Sequence, residues 1–248
     1  MRQILHDDGQ SKVESAHRSL EHYFQDRTDP SGRAETIYHA NRLDWERGVS
    51  AWVEEFERAK TFSRFDMTDA LSGVRNDLKI ESLWWEGRTW SLVGEAAATL
   101  AQHQTAETAF NQAIAAYQNP VANAESEFPL LNSLGNTLQR LGDLLAQLGR
   151  HDEATTAYQQ SISAFDHALR LAPDYISALW NRGRALAVFA QFQHQSAELH
   201  VDEPSCAMLS DAVMSLERAL KIAPGHNAIQ ATLDAVQELR TSFGCERS

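Results

Sequence analysis

The sequence predicts an all-α chain of antiparallel helical hairpins stacked one on the next. Apolar residues recur at three- and four-residue spacing through almost the whole length, while the alternation expected of strands is nearly absent. The stretch from Pro129 to Pro173, PLLNSLGNTLQRLGDLLAQLGRHDEATTAYQQSISAFDHALRLAP, reads as two long helices joined by a very short turn. Its order of small and large residues returns on either side, so the flanking segments read as further hairpins.

Residues 11–25 carry Val13, Ala16, Leu20, Tyr23 and Phe24 on one helical face, and Asp26–Gly32, with Pro30 and Gly32, reads as the turn that ends it. Ala34, Ile37, Tyr38 and Asn41 predict a second helix from Arg33. A third runs from Asp44 to Lys60 on Trp45, Val49, Trp52, Val53 and Phe56. A fourth begins near Asp66 with Met67, Ala70, Leu71, Val74 and Leu78. Residues 1–80 thus form degenerate helical hairpins.

Three better-patterned repeats follow, at 81–120, 129–173 and 174–226. The first carries Trp90, Val93, Gly94, Ala97, Ala106, Phe110, Ala113 and Ile114, and a polar stretch to Glu127 links it onward. In the second, Leu134-Gly135 is doubled by Leu141-Gly142, with Leu131, Leu138, Leu145 and Leu148 continuing the stripe. Gly149 then turns the chain, and Asp152 is placed to cap the next helix. That helix carries Ala154, Ala157, Tyr158, Ile162, Phe165, Ala168 and Leu169 before Pro173, which cannot continue it. The third repeat opens with Trp180, Gly183 and Leu186 and closes with Ala212, Leu216, Ala219, Leu220, Ile222 and Pro224. Between its arms lies an insertion, 191–205, where Phe192, Ala197 and Leu199 extend the first helix and Pro204 marks a break. Ile229, Leu233, Val236 and Leu239 predict a capping helix over Asn227–Phe243 within a terminal segment 227–248.

The positions Leu141, Gly142, Leu145, Ala154, Ala168 and Pro173 resemble the tetratricopeptide repeat. Ala154 and Ala168 are fourteen apart where the family pattern has seven, so an extra seven residues lengthen this arm and its partner alike. The resemblance implies a right-handed superhelix of antiparallel hairpins, elongated in the middle repeats, that binds protein or peptide in a concave groove. The segments HRSLEHYFQ (17–25) and AETIYHANRLDWERGVSAWVEEFERA (34–59) also resemble the sensor region of STAND-class signalling ATPases. That likeness implies an alternative role, a regulatory array of, or partner to, such an ATPase.

By the family's pattern, first-helix side chains line the groove: Arg88, Ser91, Glu95 and Thr99 in the first repeat, Asn132, Asn136, Gln139, Asp143 and Gln147 in the second. In the third they are Ser177, Trp180, Asn181, Arg184 and Val188. Trp180 is the candidate aromatic anchor. Amide and guanidinium groups suit recognition of a peptide backbone.

Composition narrows the alternatives. With 22 Lys and Arg against 34 Asp and Glu, the formal charge of −12 repels phosphate backbones and anionic lipid, so nucleic acid and membrane are poor partners. Cys206 and Cys245 lack metal-type spacing, and two cysteines in 248 residues predict a reducing, cytoplasmic setting. The first ten residues, MRQILHDDGQ, hold no signal-peptide core. His194, Glu198, His200 and Cys206 form one loose metal-type grouping, read here as a solvated helix end; no cofactor or metal is expected. With no phosphate-binding loop and no nucleophile elbow, the expectation is a non-enzymatic protein.

Overall fold

A computed structural model describes residues 10–119, 127–196 and 203–245. Helices are the regular structure of the described residues, with no strand among them. In order they form α1 (Gln10–Phe24), α2 (Pro30–Leu43), α3 (Trp45–Thr61), α4 (Phe65–Arg75), α5 (Leu83–Thr99) and α6 (His103–Tyr117). They continue with α7 (Glu127–Gln147), α8 (His151–Leu171), α9 (Ile176–Ser196), α10 (Glu203–Ile222) and α11 (Asn227–Ser242). None of these helices is long and apolar enough to cross a membrane. The chain divides into two compact units, 1–116 and 117–248.

In the first unit the core forms where α3 lies against α2, α4 and α5. Trp52 is 0% exposed, stacks on Phe56 at 4.6 Å between centroids, and donates its indole N–H to the Leu71 carbonyl on α4 at 2.9 Å. An apolar ring placed this way is worth about 3–5 kcal/mol on truncation. Asn41 does a different job. Its side-chain amide donates to the Trp45 and Lys79 carbonyls at 3.0 and 2.9 Å, and its Oδ1 accepts from the Lys79 N–H at 2.7 Å, pinning the segment after α4 to the α2–α3 corner. The helices pass so close there that a Cβ on Gly48 would stand 2.2 Å from the Asn41 Cα.

The α2 boundary corrects the sequence reading. Pro30 and Gly32 belong to the helix rather than to the turn before it. Asp29 is the cap, accepting from the Gly32 N–H at 2.9 Å, and Pro30 fits the first turn because its missing N–H would have had no helical partner.

The second unit is built on α7 and α8, each 21 residues long. Both Leu-Gly pairs mark crossing points. A Cβ on Gly135 would stand 2.6 Å from the Phe165 ring, and one on Gly142 would stand 2.9 Å from the Tyr158 ring. Because the glycines and the aromatics are each seven residues apart, the two contacts fall in step along the antiparallel arms. Ser161, fully buried between them, donates to the Gly135 carbonyl at 2.7 Å. Ala154, Ser161 and Ala168 are all fully buried, so the spacing of seven is unbroken, with serine in its middle place.

The turn uses Gly149 at φ +72°, with the Arg150 N–H reaching back to the Leu145 carbonyl at 2.9 Å. Asp152 does not cap α8. It lies within the first turn of the helix, whose N-cap is Arg150 without a side-chain bond. Gly183 repeats the small-to-large crossing between α9 and α10, where its Cβ would stand 2.7 Å from Leu216. Among the described residues of the expected 191–205 insertion, α9 continues through Phe192 to Ser196, and Pro204 lies in the first turn of α10. Ala197 and Leu199, like Glu198 and His200, lie outside the described residues. Against α10, α11 buries Ile229, Leu233 and Val236.

Cys206, on α10, and Cys245, just past α11, form a disulfide with Cα atoms 5.4 Å apart. Thirty-nine residues separate them, and only the return of α11 along α10 brings them together. The two cysteines are therefore paired with each other, which their spacing in the sequence did not foretell.

Candidate functional site

The groove positions named from the sequence fall on both units and meet different fates. In the first unit α5 runs beside α3, and opposite charges face each other across that seam. Arg88 pairs with Glu57 and Glu95 with Lys60. Ser91 is buried, and the Thr99 hydroxyl donates to the Glu95 carbonyl at 2.9 Å. These side chains bind α5 to its neighbour, and both charges have internal partners.

In the second unit α7 and α9 lie side by side as the first arms of successive hairpins. Asn181 donates its amide to the Asn132 carbonyl oxygen at 3.0 Å, with both residues buried, and Gln139 is buried as well. Asn136 and Asp143 are half-buried, and Gln147 is exposed at the end of α7. Spacings of four and seven put Asn136, Arg140 and Asp143 on one face of that helix. From α9, exposed Arg184 reaches the same patch and interacts electrostatically with both Arg140 and Asp143.

Asp143 is held on its other side by α8, since the Tyr158 hydroxyl donates to its Oδ1 at 2.7 Å. Burial pushes the Asp143 carboxyl above the usual carboxylate range, against the opposing pull of Tyr158, Arg140 and Arg184. Burial likewise raises the Tyr158 hydroxyl, and the neighbouring carboxylate adds to the effect. The patch therefore shows two exposed guanidinium groups, one amide and one carboxylate kept in place from behind. Arginine retains its charge across the accessible pH range, so the guanidinium pair is permanent.

Trp180 turns out to be engaged within the unit. Its indole N–H donates to the Thr232 hydroxyl of α11 at 3.0 Å, and its ring lies 5.7 Å from that of His226, the cap of α11. Ser177 and Val188 are half-buried on the same helix. In the loose metal-type grouping, His194 stacks on Phe243 at 3.8 Å and Cys206 is consumed by the disulfide.

Sequence reasoning missed Arg140 and the role of Tyr158. Arg140 could have been found, because it lies four residues after Asn136 and three before Asp143. Tyr158 could not, since its reach to Asp143 depends on how closely Gly142 lets α8 approach.

No curated protein matches the chain. Among solved structures it resembles the crystal structure of BtubC (BKLC) from P. vanneervenii, at 12% identity and a TM-score of 0.45, over 96% of this chain and 93% of that one. It also aligns with the TPR2AB domain of yeast Sti1 in its pHSP90 complex, at 10% identity and a TM-score of 0.25, over 94% and 99% of the two chains. At these scores neither likeness bears on function. The family model of the tetratricopeptide repeat matches residues 135–165, a span that starts at Gly135 and ends at Phe165, the two residues that meet at one crossing of the hairpin. The α7–α8 hairpin therefore carries the match to the tetratricopeptide repeat, within residues 135–165.

Proposed function

We propose that the protein is a non-enzymatic scaffold that binds a protein or peptide partner on the α7–α9 face of its second unit. The carrying observation is the patch of Asn136, Arg140, Asp143 and Arg184, exposed or half-exposed on two adjacent first helices. Behind it, the glycine crossings and the Asn132–Asn181 bond hold the helices in fixed register. Rigid elements that present a few donors and acceptors lose little entropy when a partner orders against them. Arginine and asparagine can engage both the carbonyls and the carboxylates of an extended peptide, and Asp143 supplies an acceptor for its N–H groups. On this reading Arg88 and Glu95 are seam residues of the first unit, and Trp180 supports the face from its α11 side.

The test is comparative capture. The full chain and an Asn136→Ala/Arg184→Ala variant are used as baits, and the recovered partner is titrated against each by calorimetry. The variant should retain its helical circular dichroism and bind about 2 kcal/mol more weakly, roughly 30-fold in Kd. Equal binding by a folded variant would move the interface off this face.

A further inference from the structure

The first helix is attached in an unusual way. Among the described side chains of α1, only His17 is fully buried, at 4% exposure, while Val13, Ala16, Leu20 and Phe24 are half-buried. The single deep anchor of this helix is thus an ionisable ring. It lies against a second buried histidine, His39 of α2, 5% exposed, with the two Nδ1 atoms 2.8 Å apart. Tyr38 packs edge-on against both rings, and Phe24 stacks on His39.

A hydrogen bond between two Nδ1 atoms requires one proton between them, so one ring donates and the other accepts. If both Nδ1 atoms are protonated, two N–H groups point at each other and two positive charges share a site that excludes water. The surrounding groups do not relieve this evenly. Glu35 of α2 lies 3.6 Å from the His39 Nε2 and can offset a charge on His39. Arg42, also on α2, acts against a charge on His17. On α1 itself, Glu21 is committed to Arg47 of α3 at 2.7 Å, and Glu14, Arg18 and His22 are exposed. Among the described residues, no carboxylate pairs with His17.

We propose that α1 is a proton-released element, docked on α2 while His17 and His39 share one proton and freed when both rings become charged. Burial, with Arg42 second, holds the His17 imidazole below its ordinary value. The sign follows directly. Unfolded or undocked, His17 takes a proton near pH 6.5, whereas docked it resists, so the undocked state binds more protons over that interval. Docking is at full strength above about pH 6.5 and weakens as the pH falls from there through the lowered value. Release uncovers the α2 surface around Tyr38 and His39, independently of the α7–α9 face.

Hydrogen exchange followed by mass spectrometry on the full chain tests this, with rates corrected for the intrinsic pH dependence of exchange. Between pH 7.5 and pH 5.0, protection of amides in 11–24 should fall about ten-fold or more, while protection in 130–147 holds. A folded His17→Gln variant, which keeps a hydrogen-bonding side chain but cannot take up a proton, should lose that pH response. Should His17→Gln fold poorly, the imidazole titration of wild-type His17 by NMR gives an independent reading, expected below 6.5. Protection of α1 that is flat with pH, an unaltered response in the variant, or a His17 midpoint at or above 6.5 would each overturn the proposal.

Discussion

Gly142 lies directly beneath the Tyr158 ring, so close that a Cβ there would stand 2.9 Å from the aromatic carbons. The ring cannot retreat freely, because its hydroxyl is bonded to Asp143 one residue along. Gly142→Leu should therefore cost about 1–3 kcal/mol, the usual range for overpacking. Gly73→Ala supplies the control, since nothing lies within 4 Å of that site and the helix gains roughly 0.5–1 kcal/mol from alanine. Urea denaturation distinguishes them. An unchanged midpoint for Gly142→Leu would show that the arms do not cross there.

The same pair shows what the sequence could reveal. Leu134-Gly135 and Leu141-Gly142 place small residues seven apart on one helix, and Tyr158 and Phe165 place large ones seven apart on the next, so the hairpin and its crossings are legible in the sequence. The limits are equally physical. Pro30 reads as a turn residue until Asp29 is seen capping the helix it begins. Contacts between distant residues left no local mark: the His17–His39 pair spans 22 residues, and the cysteine pair 39. Trp180 occupied a groove position by pattern, but whether its ring met solvent or α11 depended on where the last helix lay.

The disulfide makes a direct prediction. A thiol count on the unreduced, denatured chain should find no free cysteine, and reduction should yield two. Closing a loop of this length restricts the unfolded chain by an amount worth about 4 kcal/mol in the chain-entropy account, so reduction should lower the melting temperature of the second unit. Two free thiols before reduction would show that the pair does not form.

Asp143 should respond to pH. Because burial raises its folded value, the native state binds more protons than the unfolded one over that interval. Its contribution to stability is then fullest below the unfolded carboxylate value near pH 4 and is lost as the pH rises through the raised value. Asp143→Asn keeps an acceptor for the Tyr158 hydroxyl without a buried charge. Its melting temperature at pH 7 should equal or exceed that of the wild type, and its pH dependence between 4 and 7 should be flatter. A variant that melts earlier at pH 7 would show that Arg140 and Arg184 outweigh burial.

Trp180 separates a structural role from a binding role. Its indole N–H reaches Thr232, its ring packs beside His226, and it borders the core that α11 closes with Ile229, Leu233 and Val236. Trp180→Ala removes both ring and hydrogen bond, and for a half-buried tryptophan the cost should be about 2–3 kcal/mol, below the range for a fully buried one. Trp180→Phe keeps most of the packing and forfeits the donor, so about 1 kcal/mol should be lost. Thr232→Val removes the acceptor together with the hydroxyl's own donation to the Ala228 carbonyl, and in a Trp180→Phe background it should cost less than alone, because both substitutions delete the indole–hydroxyl bond. Additive losses would mean that the indole and the hydroxyl act separately. An alanine variant with wild-type stability would release Trp180 from the α9–α11 contact and leave it available to a partner on the α7–α9 face.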